Sequence, residues 1–157
     1  MLRDYYDAVG QVVAEFGGTI KDYAGDGILI LVGAPLPAPD HAAVGLRIAH
    51  GLRDAAGAVT RHWSHPGHAL GIGVGVASGF VTVGIIGSAT RLEYTAVGPA
   101  VNLASRLCEQ AHDGEILIAA RTAELAGDAR LQSRAPLPIK GFAEPVSLFL
   151  LPAAGSA

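Results

Sequence analysis

A single carboxylate, Asp26, stands between two glycines in the stretch IKDYAGDGILILVGAP, residues 20–35. A carboxylate oxygen is the kind of ligand that Mg²⁺ or Mn²⁺ prefers, so Asp26 is a candidate metal ligand. An Asp-Gly pair before an apolar run is also a strong signal of a β-hairpin turn. The two interpretations are compatible, because the tip of a hairpin can present a side chain to a cleft. The local stretch leaves the choice open.

Two further polar residues, Asn102 and Arg106, stand four positions apart in the stretch AVNLASRLCEQA. On a helix this spacing places both side chains on one face, where they can contact one ligand together. An exposed polar pair on an amphipathic helix gives the same pattern, so the spacing by itself does not decide between these interpretations. Lys140, which precedes a glycine, is in the same way either a ligand-binding cation or an ordinary surface lysine.

The composition limits the class of protein. The 157 residues predict one domain with a single core, and 50% of them are hydrophobic. The net charge is −3 without a basic block, which argues against nucleic acid as the main partner. The one cysteine, Cys108, excludes an internal disulfide and favours a cytoplasmic location; we predict that it is a small core residue. The N-terminal stretch lacks the pattern of a signal peptide.

The uncharged segment 69–90 is long enough for a membrane-spanning helix. Its glycines argue against a helix, since each costs about 1 kcal/mol relative to alanine. Apolar residues alternate with glycines up to a break at Ser78 and Gly79, which is the pattern of strands. We therefore predict two buried strands, 70–77 and 80–86, joined by a tight turn, and no membrane segment.

Helical and strand patterns alternate along the chain. Helices are predicted at 3–16, 41–56, 99–111 and 121–126, and further strands at 19–23, 28–32 and 115–119, with hairpins within 87–98 and 139–151. Strand pairs separated by helices predict an α+β sandwich, in which a mostly antiparallel sheet carries helices on one face.

Four segments resemble one family in their residues, order and intervals. They are FGGTIKDYAGDGILILVGAP, GIGVGVASGFVTVGIIGS, YTAVGPAVNLASRL and IKGFAEPVSLFLL. Each is weak alone, but together they resemble the catalytic domain of the class III adenylyl and guanylyl cyclases, and in particular the bacterial adenylyl cyclases. The likeness covers nearly the whole chain, so we predict a cyclase domain at 1–152 and a C-terminal tail at 153–157.

The resemblance implies a ferredoxin-like α+β fold whose domains pair head-to-tail, with active sites in the cleft between them. It implies a reaction in which the ribose 3′-hydroxyl of a nucleoside triphosphate attacks the α-phosphate, and pyrophosphate leaves. Two metal ions, Mg²⁺ or Mn²⁺, activate the hydroxyl and screen the phosphate charge in such a reaction. The implied partners are ATP or GTP and a second cyclase domain, in cyclic-nucleotide signalling.

The resemblance assigns a role to four polar side chains. Asp26 matches the second metal-binding aspartate of the family. Asn102 matches the residue that orients the ribose, and Arg106 matches the residue that faces the phosphates as a fixed cationic fork. Lys140 matches the lysine that binds the β- and γ-phosphates.

The preference between ATP and GTP depends on two base-selecting positions. Thr95 matches one of them, where adenylyl cyclases carry Asp, Thr or Ser. At the other, adenylyl cyclases carry Lys and guanylyl cyclases carry Glu, whereas this chain has Asp22, with Lys21 one step earlier. Neighbours in a strand point to opposite faces, so Lys21 replaces the expected lysine only if a β-bulge turns it. We expect ATP as the substrate, with GTP as the alternative.

The resemblance also implies that the chain starts inside the first helix of the family, without the first strand and the first metal-binding aspartate. We therefore expect the chain by itself to be inactive or nearly so. One alternative is a non-catalytic partner or regulatory domain that keeps the dimer surface, although such a domain has no need of Asp26. The other is a plain ferredoxin-like binding module, which leaves the order of the four segments unexplained.

Overall fold

The computed structural model describes residues 1–153 of the chain. Within these residues the helices are α1 (Leu2–Phe16), α2 (His41–Trp63), α3 (Pro99–Gln110) and α4 (Ala120–Ala126). The strands in the same part of the chain are β1 (Thr19–Ala24), β2 (Gly27–Leu31), β3 (Val74–Val76), β4 (Thr82–Ser88), β5 (Arg91–Val97), β6 (Ile116–Ala119), β7 (Gln132–Leu137) and β8 (Val146–Leu150). Of the predicted C-terminal tail, only Ala153 belongs to the described residues.

The described strands form three sheets. The largest has the order β3-β6-β8-β7, in which β3 runs parallel to β6 and the other neighbours are antiparallel. The hairpins β1–β2 and β4–β5 form two separate antiparallel sheets. The predicted α+β class with mostly antiparallel strands is therefore confirmed.

Strand β6 lies at the centre of the core, because both of its faces are buried. Ile116 and Ile118 point to one face, where they pack in a cluster with residues of α2 and α4. Leu117 and Ala119 point to the other face, where they pack with Leu107 of α3. Successive residues of a strand alternate between faces, so four consecutive apolar residues fill two cores. Helices thus cover both faces of the four-stranded sheet, whereas the sequence pattern predicted them on one face.

The predicted pairing of segments 70–77 and 80–86 is wrong. β3 pairs in parallel with β6, and β4 pairs with β5 in a long hairpin that places Val83 opposite Ala96. Local alternation predicts that a segment is extended but does not identify its partner, and both partners lie further along the chain. Among residues 1–153, no helix is long and apolar enough to cross a membrane.

Two glycines at β3 set the position of α3. A Cβ on Gly75 would overlap the carbonyl oxygen of Ala104 and the backbone nitrogen of Cys108, both in α3. A Cβ on Gly73 would lie 2.8 Å from the carbonyl oxygen of Ala111 at the end of the same helix. Glycine at these positions lets the backbone of α3 lie directly against β3. The placement of every side chain on α3 depends on this close approach.

Three of the four helices match their predicted bounds within one residue, and α2 is the exception. It was expected to end near residue 56 but continues to Trp63. The polar segment that follows residue 56 contains no proline before Pro66, so nothing in it removes a backbone donor and stops the helix. Polarity alone was therefore a poor signal for the end of this helix.

Candidate functional site

Three of the predicted site residues, Asn102, Arg106 and Lys140, line one cleft. The cleft has a volume of about 500 Å³ and lies between α3 and the loop that joins β7 to β8. Glu109 and Phe142 line it as well. Two cationic groups and an amide that face one concave surface can bind an anionic ligand.

Helix α3 directs Asn102 and Arg106 toward the cleft because its other side is buried. Pro99 is the first residue of the helix, as predicted, and its fixed φ suits a helix start. Leu107 is fully buried, and Leu103 packs in the same cluster. Since residues 103 and 107 face the core, residues 102 and 106 lie at its margin, four positions apart on one side of the helix.

The turn between β7 and β8 positions Lys140. The preceding residue, Ile139, is 4% exposed and packs in the same core cluster as Leu107. The backbone N–H of Phe142 donates to the Ile139 carbonyl at 3.0 Å, and Gly141 supplies the φ of +93° within this turn. The buried neighbours of Lys140 therefore hold its backbone next to α3, while its own side chain is exposed.

Arg106 forms an ion pair inside the cleft. Its Nη1 atom donates to both carboxylate oxygens of Glu109, at 2.7 and 3.0 Å. Lys140 forms no such pair with any carboxylate among residues 1–153. With two cations and one carboxylate, the cleft carries a net positive charge, and the Lys140 ammonium is its uncompensated cation.

Asp26 lies in the tight turn of the β1–β2 hairpin, as predicted, and outside the cleft. The hydroxyl of Tyr6 donates to the Gly25 carbonyl at 2.5 Å, and the Tyr6 ring packs against Tyr23. Within residues 1–153 no three His, Cys, Asp or Glu side chains are grouped so that they could hold a metal ion. One exposed carboxylate is an incomplete donor set, so these residues by themselves do not fit a two-metal centre.

Strand β1 contains a β-bulge at Lys21. The register shifts between Ile20, which lies opposite Ile30, and Asp22, which lies opposite Leu29. Because of this extra residue, the Nζ atom of Lys21 lies 3.8 Å from the Oδ2 atom of Asp22, although neighbours in a regular strand point apart. The Lys21 side chain is 8% exposed, whereas the Asp22 side chain is 61% exposed.

Thr95 lies on β5, opposite Gly84 of β4, and is half-buried. Strands β1 and β5 are in contact, so the two predicted base-selecting positions, Thr95 and Asp22, are on neighbouring strands. Neither residue lines the cleft of Asn102 and Arg106. The structure therefore groups three of the predicted site residues and leaves Asp22, Asp26 and Thr95 outside that group in a single chain.

Comparison with known protein families decides which family has this architecture. The family model of the adenylate and guanylate cyclase catalytic domain matches residues 1–152. The chain belongs to this family. It is a cyclase domain by descent, and the ferredoxin-like α+β fold expected from the four segments agrees with solved cyclase structures.

Two solved structures illustrate the likeness of the cyclase domain. The adenylyl cyclase CyaB from P. aeruginosa has a TM-score of 0.82 and 28% sequence identity, covering 98% of this chain and 81% of that chain. The guanylyl cyclase Cya2 has a TM-score of 0.79 and 35% identity, covering 99% of this chain and 80% of that chain. One protein is an adenylyl cyclase and the other a guanylyl cyclase. The likeness therefore establishes the family, but it does not distinguish ATP from GTP as the substrate.

The curated relatives of the cyclase domain are longer than the chain. A Mycobacterium tuberculosis protein described as uncharacterized is 31% identical over 155 residues, which is 94% of this chain and 26% of that protein. Adenylate cyclase 1 of Rhizobium meliloti is 34% identical over 108 residues, which is 68% of this chain and 16% of that protein. The chain therefore spans about a quarter or less of the length of these two relatives.

The prediction that Cys108 is a core residue of the cyclase domain is wrong. Cys108 is exposed, and its thiol donates to the Gly73 carbonyl at 3.4 Å. The neighbouring Leu107 takes the core position in this turn of the helix. Desolvation of the sulfur raises the pKa of Cys108, and the charges of Glu109 and Asp26 raise it further, so the thiol stays protonated and weakly nucleophilic.

Sequence reasoning did not single out Glu109 and Phe142, which also line the cleft of the cyclase domain. A signal for Glu109 was present, since it stands three residues after Arg106, a spacing at which opposite charges meet on a helix. Phe142 gave no comparable signal, because its place in the cleft depends on how the β7–β8 turn packs against α3.

Proposed function

We propose that this cyclase domain converts ATP to cyclic AMP and pyrophosphate in cyclic-nucleotide signalling. The observation that carries the proposal is the single cleft lined by Asn102, Arg106 and Lys140. These are the residues that the family resemblance assigns to the ribose and the phosphates. In the reaction the ribose 3′-oxygen loses its proton to water and bonds to the α-phosphorus. The bond from that phosphorus to the oxygen bridging it to the β-phosphorus breaks, and pyrophosphate leaves with that oxygen.

The three side chains contact different parts of the substrate. The amide of Asn102 donates and accepts hydrogen bonds, and it orients the ribose so that the 3′-hydroxyl faces the α-phosphate. The guanidinium of Arg106 donates to the phosphate oxygens on which negative charge develops during the attack. The ammonium of Lys140 binds the β- and γ-phosphates and stabilises the pyrophosphate as it leaves.

The bulge at Lys21 supports ATP rather than GTP as the substrate. The family resemblance places a lysine donor at the base-selecting position of adenylyl cyclases, where this chain has Asp22. The bulge brings the Lys21 ammonium to the side of Asp22, so a donor is present beside that position. Thr95 on the neighbouring strand adds a hydroxyl that can accept from the exocyclic amine of adenine. The competing substrate is GTP, since the exposed carboxylate of Asp22 can accept hydrogen bonds from the guanine edge.

The proposal includes a divalent metal and a second cyclase domain. Asp26 is the assigned ligand of Mg²⁺ or Mn²⁺, ions that screen phosphate charge when bound in such a site. Asp26 lies outside the cleft of its own chain. The family resemblance implies a head-to-tail dimer with the active sites between the domains, so we expect Asp26 of one subunit to serve the cleft of the other. Exposed apolar side chains on the β4–β5 hairpin, including Ile85 and Leu92, support an interface with a second domain.

The second candidate function is that of a non-catalytic partner. Asp26 is the one carboxylate that the resemblance assigns to the metals, so we expect residues 1–157 by themselves to make little or no cyclic nucleotide. Such a chain still offers Asn102, Arg106 and Lys140 to a second cyclase domain that supplies the metal ligands. The cytoplasmic location expected from the single cysteine remains a prediction.

Nucleotide binding to the chain tests the proposed cleft. Isothermal titration would use α,β-methylene-ATP and α,β-methylene-GTP, which cannot be cyclised, with Mn²⁺ present. We expect the ATP analogue to bind more tightly, and Lys140→Ala to weaken its binding about tenfold, since a hydrogen bond to a charged group is worth about 1.5 kcal/mol or more. Arg121→Ala removes an exposed cation of α4 outside the cleft and is the matched control. Equal binding by the wild type and Lys140→Ala would refute the cleft, and tighter binding of the GTP analogue would favour the guanylyl alternative.

A further inference from the structure

Glu109 forms an ion pair with the guanidinium of Arg106, which is the group proposed to bind the phosphates of the substrate. Both residues line the same cleft as Lys140. Nη1 of Arg106 contacts both oxygens of the Glu109 carboxylate, at 2.7 and 3.0 Å. The two side chains are 41% and 53% exposed, so the pair is accessible to a ligand that enters the cleft.

The chemistry of the guanidinium makes this contact relevant to substrate binding. Carboxylate and phosphate oxygens accept from a guanidinium with the same forked geometry, so one anion excludes another from the same donors. A partly exposed pair at i, i+3 contributes little to stability, about 0.2–1 kcal/mol. The pair is therefore weak enough for a phosphate group to replace Glu109 at Arg106, and strong enough to lower the affinity for that phosphate group.

Lys140 provides the contrast within the same cleft. Among residues 1–153 it has no carboxylate partner, so its ammonium can meet a phosphate without first losing a contact. Arg106 differs, because its Nη1 hydrogens must leave Glu109 before all of its donors can reach a phosphate.

We propose that Glu109 competes with the phosphate groups of the substrate for Arg106, and so weakens triphosphate binding to the resting cleft. The proposal rests on the proposed function of the cleft, and it adds regulation of the affinity of that site. Triphosphate entry moves Arg106 from Glu109 to a phosphate. When pyrophosphate leaves, Glu109 takes Arg106 back, which favours release of the product. Glu109 is a positioning residue, since it acts through Arg106.

Titration of the 157-residue chain with inorganic tripolyphosphate, at fixed pH and ionic strength, tests this competition without any turnover. Glu109→Gln keeps the shape of the side chain and removes its charge. We expect it to tighten tripolyphosphate binding by about 1.4- to 5-fold, the range that corresponds to an exposed ion pair. Glu124→Gln removes the same charge from an exposed site on α4 outside the cleft, and we expect it to leave binding unchanged.

A second pair of variants separates competition for Arg106 from direct repulsion. In an Arg106→Ala background, Glu109→Gln should lose its effect and match the Glu124→Gln control. A gain of the same size in both backgrounds would overturn the proposal, because the carboxylate would then act on the ligand directly. Unchanged or weaker binding by Glu109→Gln would overturn it as well. If Lys140→Ala still weakens binding in that case, the proposed function of the cleft stands. Failure of tripolyphosphate to bind the wild type would contradict both.

Discussion

The ammonium of Lys21 lies 3.8 Å from the carboxylate of Asp22, although the two residues are neighbours in one strand. The β-bulge at Lys21 produces this arrangement by adding one residue between two regular strand pairs. The sequence alone places only an acceptor, the Asp22 carboxylate, at this position. The bulge adds a donor, the Lys21 ammonium, beside it. We propose that the base preference of this cyclase domain depends on which of the two side chains contacts the purine.

Replacing Lys21 with methionine should weaken the preference for ATP over GTP. Methionine keeps the apolar stem, which is largely buried, and removes the donor. Loss of a charged hydrogen bond to adenine predicts a decrease of about tenfold or more in affinity for an ATP analogue. Titration calorimetry with ATP and GTP analogues measures the ratio. The matched variant is Asp22→Asn: if it changes the ratio and Lys21→Met does not, Asp22 selects the base and our assignment fails.

Replacing Gly75 with alanine should destabilise the domain by about 3 kcal/mol, the upper end of the range for overpacked sites. The new methyl group would overlap backbone atoms of Ala104 and Cys108, which cannot rotate away as a side chain could. Urea unfolding followed by circular dichroism gives the free energy of unfolding. Gly84→Ala is the control, because a Cβ at Gly84 meets no atom within 4 Å. Equal stability of the two variants would show that α3 does not need its close approach to β3.

Glu115 should stabilise the fold in a pH-dependent way. Its carboxylate accepts from the backbone N–H of His112 at 3.0 Å and from Nη1 of Arg134 at 2.8 Å, just before β6 begins. The hydrogen bond from the His112 backbone, with smaller contributions from the His112 and Arg134 side chains, lowers the pKa of Glu115 to about 2. Since the folded pKa lies below the ordinary value of 4.5, the stabilisation is complete above that value and is lost as the pH falls toward 2.

The variant Glu115→Gln therefore should be less stable than the wild type at pH 7, by about 1 kcal/mol or more. The difference should shrink as the pH is lowered below 4.5. Denaturant unfolding at several pH values measures it, with Glu124→Gln as a control whose stability should match the wild type throughout. A constant difference between pH 7 and pH 3 would mean that the charge of Glu115 is not responsible.

Features with local causes could be predicted from the sequence. The hairpin turn at Asp26 follows from its flanking glycines, and the start of α3 follows from Pro99. Features that depend on distant partners could not be predicted. The pairing of β3 with β6 and the bulge at Lys21 each require knowledge of how separate strands meet.

The candidate site shows the same division. Asn102 and Arg106 share a helix face, so their proximity follows from spacing alone. Lys140 joins them only because Ile139 and Phe142 pack the β7–β8 turn against α3, which no local pattern indicates. The order of the family motifs, rather than periodicity, predicted that Lys140 lies near Asn102 and Arg106.

The most direct test of the role assigned to Arg106 mixes two chains, each of which is expected to be inactive alone. One is an intact adenylyl cyclase domain, such as that of CyaB, in which the arginine aligned with Arg106 is replaced by alanine. The other is this chain, with ATP and Mn²⁺ present and with co-elution of the two chains as proof of pairing. We predict cyclic AMP from the mixture, and about 100-fold less when this chain carries Arg106→Ala, since loss of one donor to the transition state has about that effect. Equal cyclic AMP from both mixtures, or none from chains that co-elute, would contradict the assignment of Arg106.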